Sequence, residues 1–481
     1  MLDAPQTPVA SSPASARATV AALIARARAA QAIADRWTQA QADEAAVAAG
    51  WAIVEPARNR ELAELAVRDT GLGNVADKIA KNRRKTIGLL RDLQGARSVG
   101  VIAEDAERGL IEIARPVGVV AAITPSTNPA ATPVNNIVNA LKGRNAIIVA
   151  PSPKGQSTLT RLLQFVHAEL ERIGAPRDLV LQLPSPVTRE QTFELMRQAD
   201  LVVATGSARN VRGAYESGTP AIGVGVGNVV VIVDETANVA DAAAKIARSK
   251  TFDNATSCSS ENSIVAVASV ADDLLRALAR EGGVLLDAKE KAALERTMFA
   301  DGKLSSDVVA QDAPAIARLA GLARAELAHA RFLVVEETGV GRAHPFSGEK
   351  LSPVLAFYRA SDFGTAVQRA TEILRFQGAG HSLGLHTARV GRARELGLTL
   401  PVCRVIVNQA HCFATGGSFD NALPFSLSMG CGTWGGNSIS DNLNYRHFLN
   451  ITRVVAPLAP DRVREPSEEE IFGAYRAKHG V

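Results

Sequence analysis

From residue 15 to about 54, apolar residues such as Val20, Leu23, Ile24 and Ala27 recur at helical spacing among Arg, Gln and Asp, and a second helical region follows through Leu62, Leu65 and Val67. Residues 1–14, ahead of it, are rich in Pro, Ser and Ala and read as a loose, flexible arm. The period changes at about 98–120. There Val99-Gly-Val-Ile-Ala and Leu110-Ile-Glu-Ile-Ala flank a charged turn containing Gly109, which predicts a β-hairpin projecting from the main body. Short apolar runs at 117–123, 146–150, 179–183 and 201–204 then alternate with helix-like stretches at 135–141 and 156–173. Such alternation predicts a parallel sheet with helices on both faces, which binds ligands in the crevice beyond its strand C-termini. A second alternation begins at Val229-Val-Val-Ile-Val and runs through 263–268, 332–335, 353–358, 383–386 and 404–407. Residues 449–455 add one more strand, and Ser467-Glu-Glu-Glu470 is a capping box that opens a terminal helix at Glu468. The division expected is a dinucleotide-binding domain at 15–230, a catalytic domain at 231–438 and a C-terminal segment at 439–481.

Composition narrows the class. The 481 residues include 53 Lys plus Arg against 49 Asp plus Glu, and the resulting net charge of +4 is too mild to predict nucleic-acid binding. With 47% hydrophobic and 21% charged residues, whole-chain disorder and fibrous structure are excluded. There is no run of about 18 apolar residues and no basic start followed by an apolar stretch, so neither a membrane span nor a secretory signal is expected. A cytoplasmic enzyme is the expected class. Aromatic residues make up only 4%, which argues against stacking recognition of RNA. Cys258, Cys403, Cys412 and Cys431 form no Cys-x-x-Cys pair, so no disulfide framework and no metal site are expected.

Two clusters invite a chemical reading. Lys78, Lys81, Arg83, Arg84 and Lys85 lie close together; an anion site is one reading, and a solvated helix face is the expected one. Cys258 follows the polar stretch Ser249-Lys-Thr-Phe-Asp-Asn-Ala-Thr-Ser and precedes a strand, a setting that leaves a thiol accessible at a domain junction. Taken alone, a cysteine is more often an inert small hydrophobe.

The order and spacing of several motifs change that balance. Val117-Gly-Val-Val-Ala-Ala-Ile-Thr-Pro125-Ser-Thr-Asn128-Pro129, Ala204-Thr-Gly-Ser207, Gly223-Val-Gly-Val-Gly-Asn228, Cys258 and Glu349-Lys-Leu-Ser-Pro353 resemble the aldehyde dehydrogenase superfamily, over nearly the whole chain. Within it, the 249–261 stretch, Gly378-Ala-Gly-His381 and Gly430-Cys-Gly-Thr-Trp-Gly-Gly-Asn-Ser-Ile-Ser440 look like the CoA-acylating branch. Some members of that branch are fused to an iron-dependent alcohol dehydrogenase half, which is not expected here because the chain ends at Val481. The resemblance implies an α/β fold: a doubly wound parallel-sheet cofactor domain, a second α/β catalytic domain, and an oligomerisation hairpin and strand pairing across the subunits of a homodimer or homotetramer. The active-site cleft would lie between the two domains.

The resemblance also assigns roles. Cys258 is the nucleophile whose thiolate gives a thiohemiacetal and then, after hydride transfer to a nicotinamide, a thioester released by a second nucleophile. Oxyanion donors would be the Cys258 backbone N–H and the side chain of Thr127 or Asn128; aligning Pro125 with Pro129 places Thr127 where the hydrolytic enzymes carry Asn. Those enzymes use the Glu of Glu-Leu-Gly-Gly to activate water, and this chain has Gly223 there. Transfer to CoA is then the expected exit, whether or not Gly223 also marks a close-packed backbone crossing. Thr205, Gly206, Ser207 and Pro125 would border the dinucleotide and Glu349 its nicotinamide ribose. The segment Ala150-Pro-Ser-Pro153-Lys154 lacks the ribose-binding Glu of many NAD enzymes, and with Lys154 and Arg209 it leans toward NADP over NAD. His381 and His411 are pocket candidates, His381 being equally readable as a structural histidine. His411 and Cys412 lie in a Gly-rich loop, and Cys403 and Cys431 read as structural. The 408–421 loop does not look like the form usual in acetaldehyde enzymes, and the chain looks more like the acylating sulfoacetaldehyde dehydrogenases. Sulfoacetaldehyde is therefore the expected substrate, ahead of acetaldehyde and succinate semialdehyde. A carboxylate-forming enzyme is the competing class.

Overall fold

The computed structural model describes residues 13–300 and 302–481. The arm expected at 1–14 lies outside the described residues except for its last two, which open the first helix, Pro13–Ala34. The helical stretch expected from 15 to 54 is two helices. Thr38 starts the second, Gln39–Val54, with a capping box: its Oγ1 accepts the Gln41 N–H at 3.3 Å, and the Gln41 side chain accepts the Thr38 N–H at 2.9 Å. Pro56–Thr70 follows, with proline in the first turn where no N–H is needed. The next helix, Val75–Leu93, is capped by Asn74 and carries the basic cluster.

Two parallel sheets form the body. The first is ordered Val180–Gln182, Ala146–Ala150, Val119–Ile123, Leu201–Thr205, Ala221–Val224. Its three central strands are nearly all buried Val, Ile, Leu and Ala, as expected of strands covered by helices on both faces. The strand order reverses between Val119–Ile123 and Leu201–Thr205, which opens a crevice beyond their C-termini. The second sheet is ordered Gly283–Leu285, Phe332–Glu336, Val354–Ala360, Glu261–Val267, Val229–Val233, Leu383–His386, Val405–Val407. Val229–Val233 belongs wholly to this sheet, so the division falls in the loop 225–228, slightly before the boundary expected at 230. Late in the chain Phe425, Leu443 and Phe448 return to the core of the first sheet, which clamps the two halves together.

The expected hairpin is present as Gly100–Asp105 and Leu110–Pro116. Residues 117 and 118 lead out of it, and Val119–Ile123 is already part of the first sheet. The terminal strand Leu449–Val455, expected to pair across subunits, pairs antiparallel with Leu110–Pro116 of its own chain, Ile451 opposite Ala114. It forms one edge of a three-stranded sheet. The capping box at Ser467 opens the helix Glu468–His479, none of whose residues is buried. Among the described residues no helix is long and apolar enough to cross a membrane.

Candidate active site

A cavity of about 330 Å³ occupies the crevice at the strand reversal, between the two sheets. Cys258 opens onto it from the turn that precedes Glu261–Val267. That turn is unusual. Asp253, Asn254 and Ala255 are successive left-handed residues with φ of 50°, 50° and 58°, a conformation costing about 1–2 kcal/mol per ordinary L-residue. It persists because the Asp253 carboxylate is held from four directions. The Asn74 N–H at 3.0 Å, the Thr256 hydroxyl at 2.8 Å, Lys78 Nζ at 3.1 Å and Lys81 Nζ at 2.5 Å all donate to it. The Asp253 N–H in turn donates to Asp77 Oδ2 at 2.7 Å.

Above this turn the 225–228 loop lies against the Cys258 backbone. A Cβ on Gly227 would stand 2.2 Å from the Cys258 carbonyl oxygen, so no other residue fits without moving the loop. Gly223 is packed as tightly: a Cβ there would meet Val211 at 2.6 Å and the Tyr215 ring at 2.9 Å. Both readings of Gly223 therefore hold. It is a close-packed crossing, and it puts no carboxylate in the cavity. Among the described residues, Glu349 is the one carboxylate on the cavity wall.

Burial dominates the electrostatics. It pushes the Cys258 thiol up to about 12, helped by the neighbouring Glu349 and Cys431; the backbone N–H of Cys258, hydrogen-bonded to its own sulfur, opposes the shift. Burial likewise pushes the Glu349 carboxyl up to about 8, against the Gly227 N–H and the charges of Lys250 and Lys350. Near neutral pH the resting site therefore holds a thiol and a protonated Glu349.

Most of the expected site residues converge. Pro125, Thr127, Asn128, Thr205, Gly206, Ser207, Cys258 and Glu349 all line the cavity. Gly206 has a φ of +140°, which suits glycine, and Ser207 then caps the helix Ala208–Glu216 by accepting the Asn210 N–H at 3.3 Å. Lys81 distinguishes Thr127 from Asn128. Its ammonium donates to Asn128 Oδ1 at 2.9 Å, so the amide N–H₂, which has no hydrogen-bond partner among the described residues, is the end left for the cavity. Thr127 is held through its carbonyl, by Lys78 at 3.2 Å.

Lys154, His381 and His411 lie elsewhere. Lys154 is exposed and lines neither this cavity nor a second one of about 230 Å³ formed by Ile123, residues 150–153, Arg189, Phe193 and Arg209. Arg209 is where the sequence places it, whereas Arg189, which no motif marks, joins it there. Ser152, on the same wall, keeps a buried hydroxyl without a protein partner. His381 and His411 sit behind the cavity, bridged by Ser382: His381 Nδ1 is 2.7 Å and His411 Nε2 2.8 Å from its hydroxyl. Burial pushes His381 down to about 3 and His411 well below its ordinary value, and His381 Nε2 and His411 Nδ1 are buried without a partner among the described residues. Cys412, beside His411, does reach the cavity.

The basic cluster is not a solvated face. Lys78, Lys81 and Lys85 are 3%, 5% and 7% exposed, and only Arg83 is fully turned to water. Their spacing, i, i+3 and i+7, puts them on the stripe that buried Leu89 continues.

Residues 3–284 match the model of the aldehyde dehydrogenase family. The chain belongs to that family. It is 63% identical over 461 residues to an acylating sulfoacetaldehyde dehydrogenase of Cupriavidus necator, covering 96% of this chain and 93% of that one. It is 38% identical to an acetylating succinate-semialdehyde dehydrogenase of Clostridium kluyveri, covering 94% and 98%. Among solved structures, an acetylating aldehyde dehydrogenase from Geobacillus thermoglucosidasius superposes with a TM-score of 0.89 at 36% identity, over 95% of this chain and 99% of that one. The expected aldehyde dehydrogenase fold, with its resemblance to the acylating branch, is thereby borne out.

Proposed function

We propose that this aldehyde dehydrogenase is CoA-acylating: it oxidises a small aldehyde, sulfoacetaldehyde first, with NAD(P)+ and CoA to an acyl-CoA. The observation that carries the reading is the absence of a base for water. A side chain at Gly223 would overlap Val211 and Tyr215, and Glu349, the one carboxylate on the cavity wall among the described residues, is pushed by burial up to about 8, which leaves less of it ionised to act as a base. A thiol needs less activation than water to attack a thioester. The 63% identity to an acylating sulfoacetaldehyde dehydrogenase supports both the class and the substrate.

Cys258 releases its proton to solvent, the resulting thiolate adds to the aldehyde carbon, and the carbonyl oxygen takes up the negative charge. The backbone N–H of Cys258 and the free amide end of Asn128 are the donors placed to meet it. A hydride leaves the same carbon, and the acyl group remains on sulfur as a thioester. The CoA thiol then takes the acyl group, its proton passing to the Cys258 thiolate that departs. The crevice at the strand reversal and the orphaned Ser152 hydroxyl suit a dinucleotide, which when bound supplies the hydride acceptor. Glu349, Pro125 and Thr205 to Ser207 would hold its reactive half, and Ser152, Arg189 and Arg209 the other. Two arginines and no carboxylate on that second wall, among the described residues, favour NADP over NAD. We also propose a cytoplasmic homodimer or homotetramer, joined along the open edge of Leu449–Val455.

The test is NAD(P)H formation with sulfoacetaldehyde, acetaldehyde and succinate semialdehyde, each with and without CoA and with either dinucleotide. Turnover is expected to require CoA and to vanish in Cys258→Ala. CoA-independent formation of the free acid would replace this reading with the hydrolytic one.

A further inference from the structure

The helix Val75–Leu93 turns three lysines inward, and the last of them reaches the active site. Lys85 lines the cavity that holds Cys258 and also a hollow of about 30 Å³ beside it. The two spaces share Asn128, Ser257, Cys412 and Leu427, and the hollow is closed by Lys81, Arg84, Phe252 and Phe413. Burying an ammonium is costly unless an anion or several acceptors compensate it. Lys81 and Lys78 share the single carboxylate of Asp253. Lys85 has none: its one hydrogen-bond partner among the described residues is the Gly416 carbonyl at 2.6 Å, leaving two of its three N–H groups without an acceptor. Arg84 donates to the Phe413 carbonyl and the Ser418 hydroxyl at 3.0 and 2.9 Å and forms no ion pair among the described residues; Asp420 acts on it only from outside the lining. Arg84 and Arg248 both lie against the Phe413 ring, at 5.1 and 4.6 Å. The hollow thus has three basic side chains on its wall and, among the described residues, no carboxylate.

We propose that this hollow is the subsite for a negative charge carried by the aldehyde, a sulfonate or carboxylate within one or two carbons of the carbonyl, and that Lys85 is the residue that recognises it, with Lys81 and Arg84 strengthening the field. The proposal rests on the aldehyde dehydrogenase reading above and names the substrate class of the same site. Size supports it. A space of a few tens of cubic ångströms holds one small polar group, and it is too small for the adenine of either nucleotide substrate. Its position supports it too, because the groups shared between hollow and cavity include Asn128, the oxyanion donor, so an aldehyde at Cys258 has its tail beside Lys85. Burial, together with the charges of Arg84 and Lys81, pushes the Lys85 ammonium down to about 7 while Cys412 and Cys258 oppose it. A bound anion would restore its full charge.

The test compares kcat/KM for sulfoacetaldehyde, succinate semialdehyde and neutral propionaldehyde, with CoA, in the wild type, Lys85→Met and Arg84→Met. The ratio of charged to neutral aldehyde should fall about 10- to 100-fold in Lys85→Met, the loss of one charge-assisted hydrogen bond, and less in Arg84→Met. The two anions separate a sulfonate site from a carboxylate one. A second measurement needs no turnover: 2-hydroxyethanesulfonate should slow alkylation of Cys258 in the wild type and not in Lys85→Met. Equal losses for charged and neutral aldehydes, an unchanged ratio in both variants, or protection that survives Lys85→Met would overturn the proposal. Protection by the sulfonate in an enzyme that shows no CoA-dependent turnover would leave the anion subsite standing and sink the acylating reading alone.

Discussion

Cys258 rests as a thiol because burial lifts it to about 12, yet the proposed reaction needs its thiolate. Below that value the thiolate fraction grows about tenfold per pH unit. Alkylation of the free enzyme by iodoacetamide should therefore still be accelerating between about pH 8 and about pH 10; a plateau near pH 7 would mean that a base inside the site already holds the proton. In the proposed mechanism Asn128 is the second residue that decides the chemistry. With Lys81 pinning its oxygen, its N–H₂ is the only preset end, and Asn128→Ala should cost about 10²–10³ in kcat with a smaller change in KM. Thr127→Ala should fall within a few-fold of wild type; the reverse order would move the oxyanion role to Thr127. The motif around 125–129 brought both residues to notice. Choosing between them took a lysine 47 positions away. Lys85 escaped for a similar reason: a charged residue reads as solvated until its neighbours are known.

At the scale of elements, the site depends on a glycine-rich crossing as much as on its reactive groups. Gly227 lets the 225–228 loop touch the Cys258 carbonyl, and a methyl group there would overlap it. Gly227→Ala should leave a folded protein whose turnover is reduced on the order of 10²-fold or more, since an error of about 1 Å in the nucleophile's position is enough for that. Near-wild-type kcat would show that the loop yields easily. Strands and most helices were plain from periodicity and turn residues, which act over a few positions. The exception is instructive: the stretch 15–54 keeps its helical period across the break at Thr38, and only the capping box with Gln41 shows that a new helix begins there.

For the whole molecule, the two parallel sheets place the C-terminal ends of the first against the turn before Glu261–Val267 of the second, and the cavity is what lies between. The three-stranded sheet is left with an open edge at Leu449–Val455, where Val454 and Val455 are 48% and 72% exposed. Such edges are usually covered. Val455→Glu should shift the protein toward monomer in size-exclusion chromatography with light scattering, and an unchanged mass would place the subunit contact elsewhere.

The amino-acid sequence alone determined the alternation that makes two doubly wound sheets, the hairpin, the capped terminal helix and the motifs that brought Cys258, Thr205 and Glu349 into one family pattern. These follow from side-chain period, turn chemistry and residue order, all of which can be read along the chain. Tertiary structure alone decided that Lys78, Lys81 and Lys85 face inward, that Lys154 stays outside both cavities, that His381 and His411 are buried off the cavity wall, and that the last strand pairs within its own chain. Burial and pairing are set by segments far apart in sequence: Lys78 meets Asp253 across 175 positions, and Lys85 meets Gly416 across 331. No local pattern carries the free energy of such contacts.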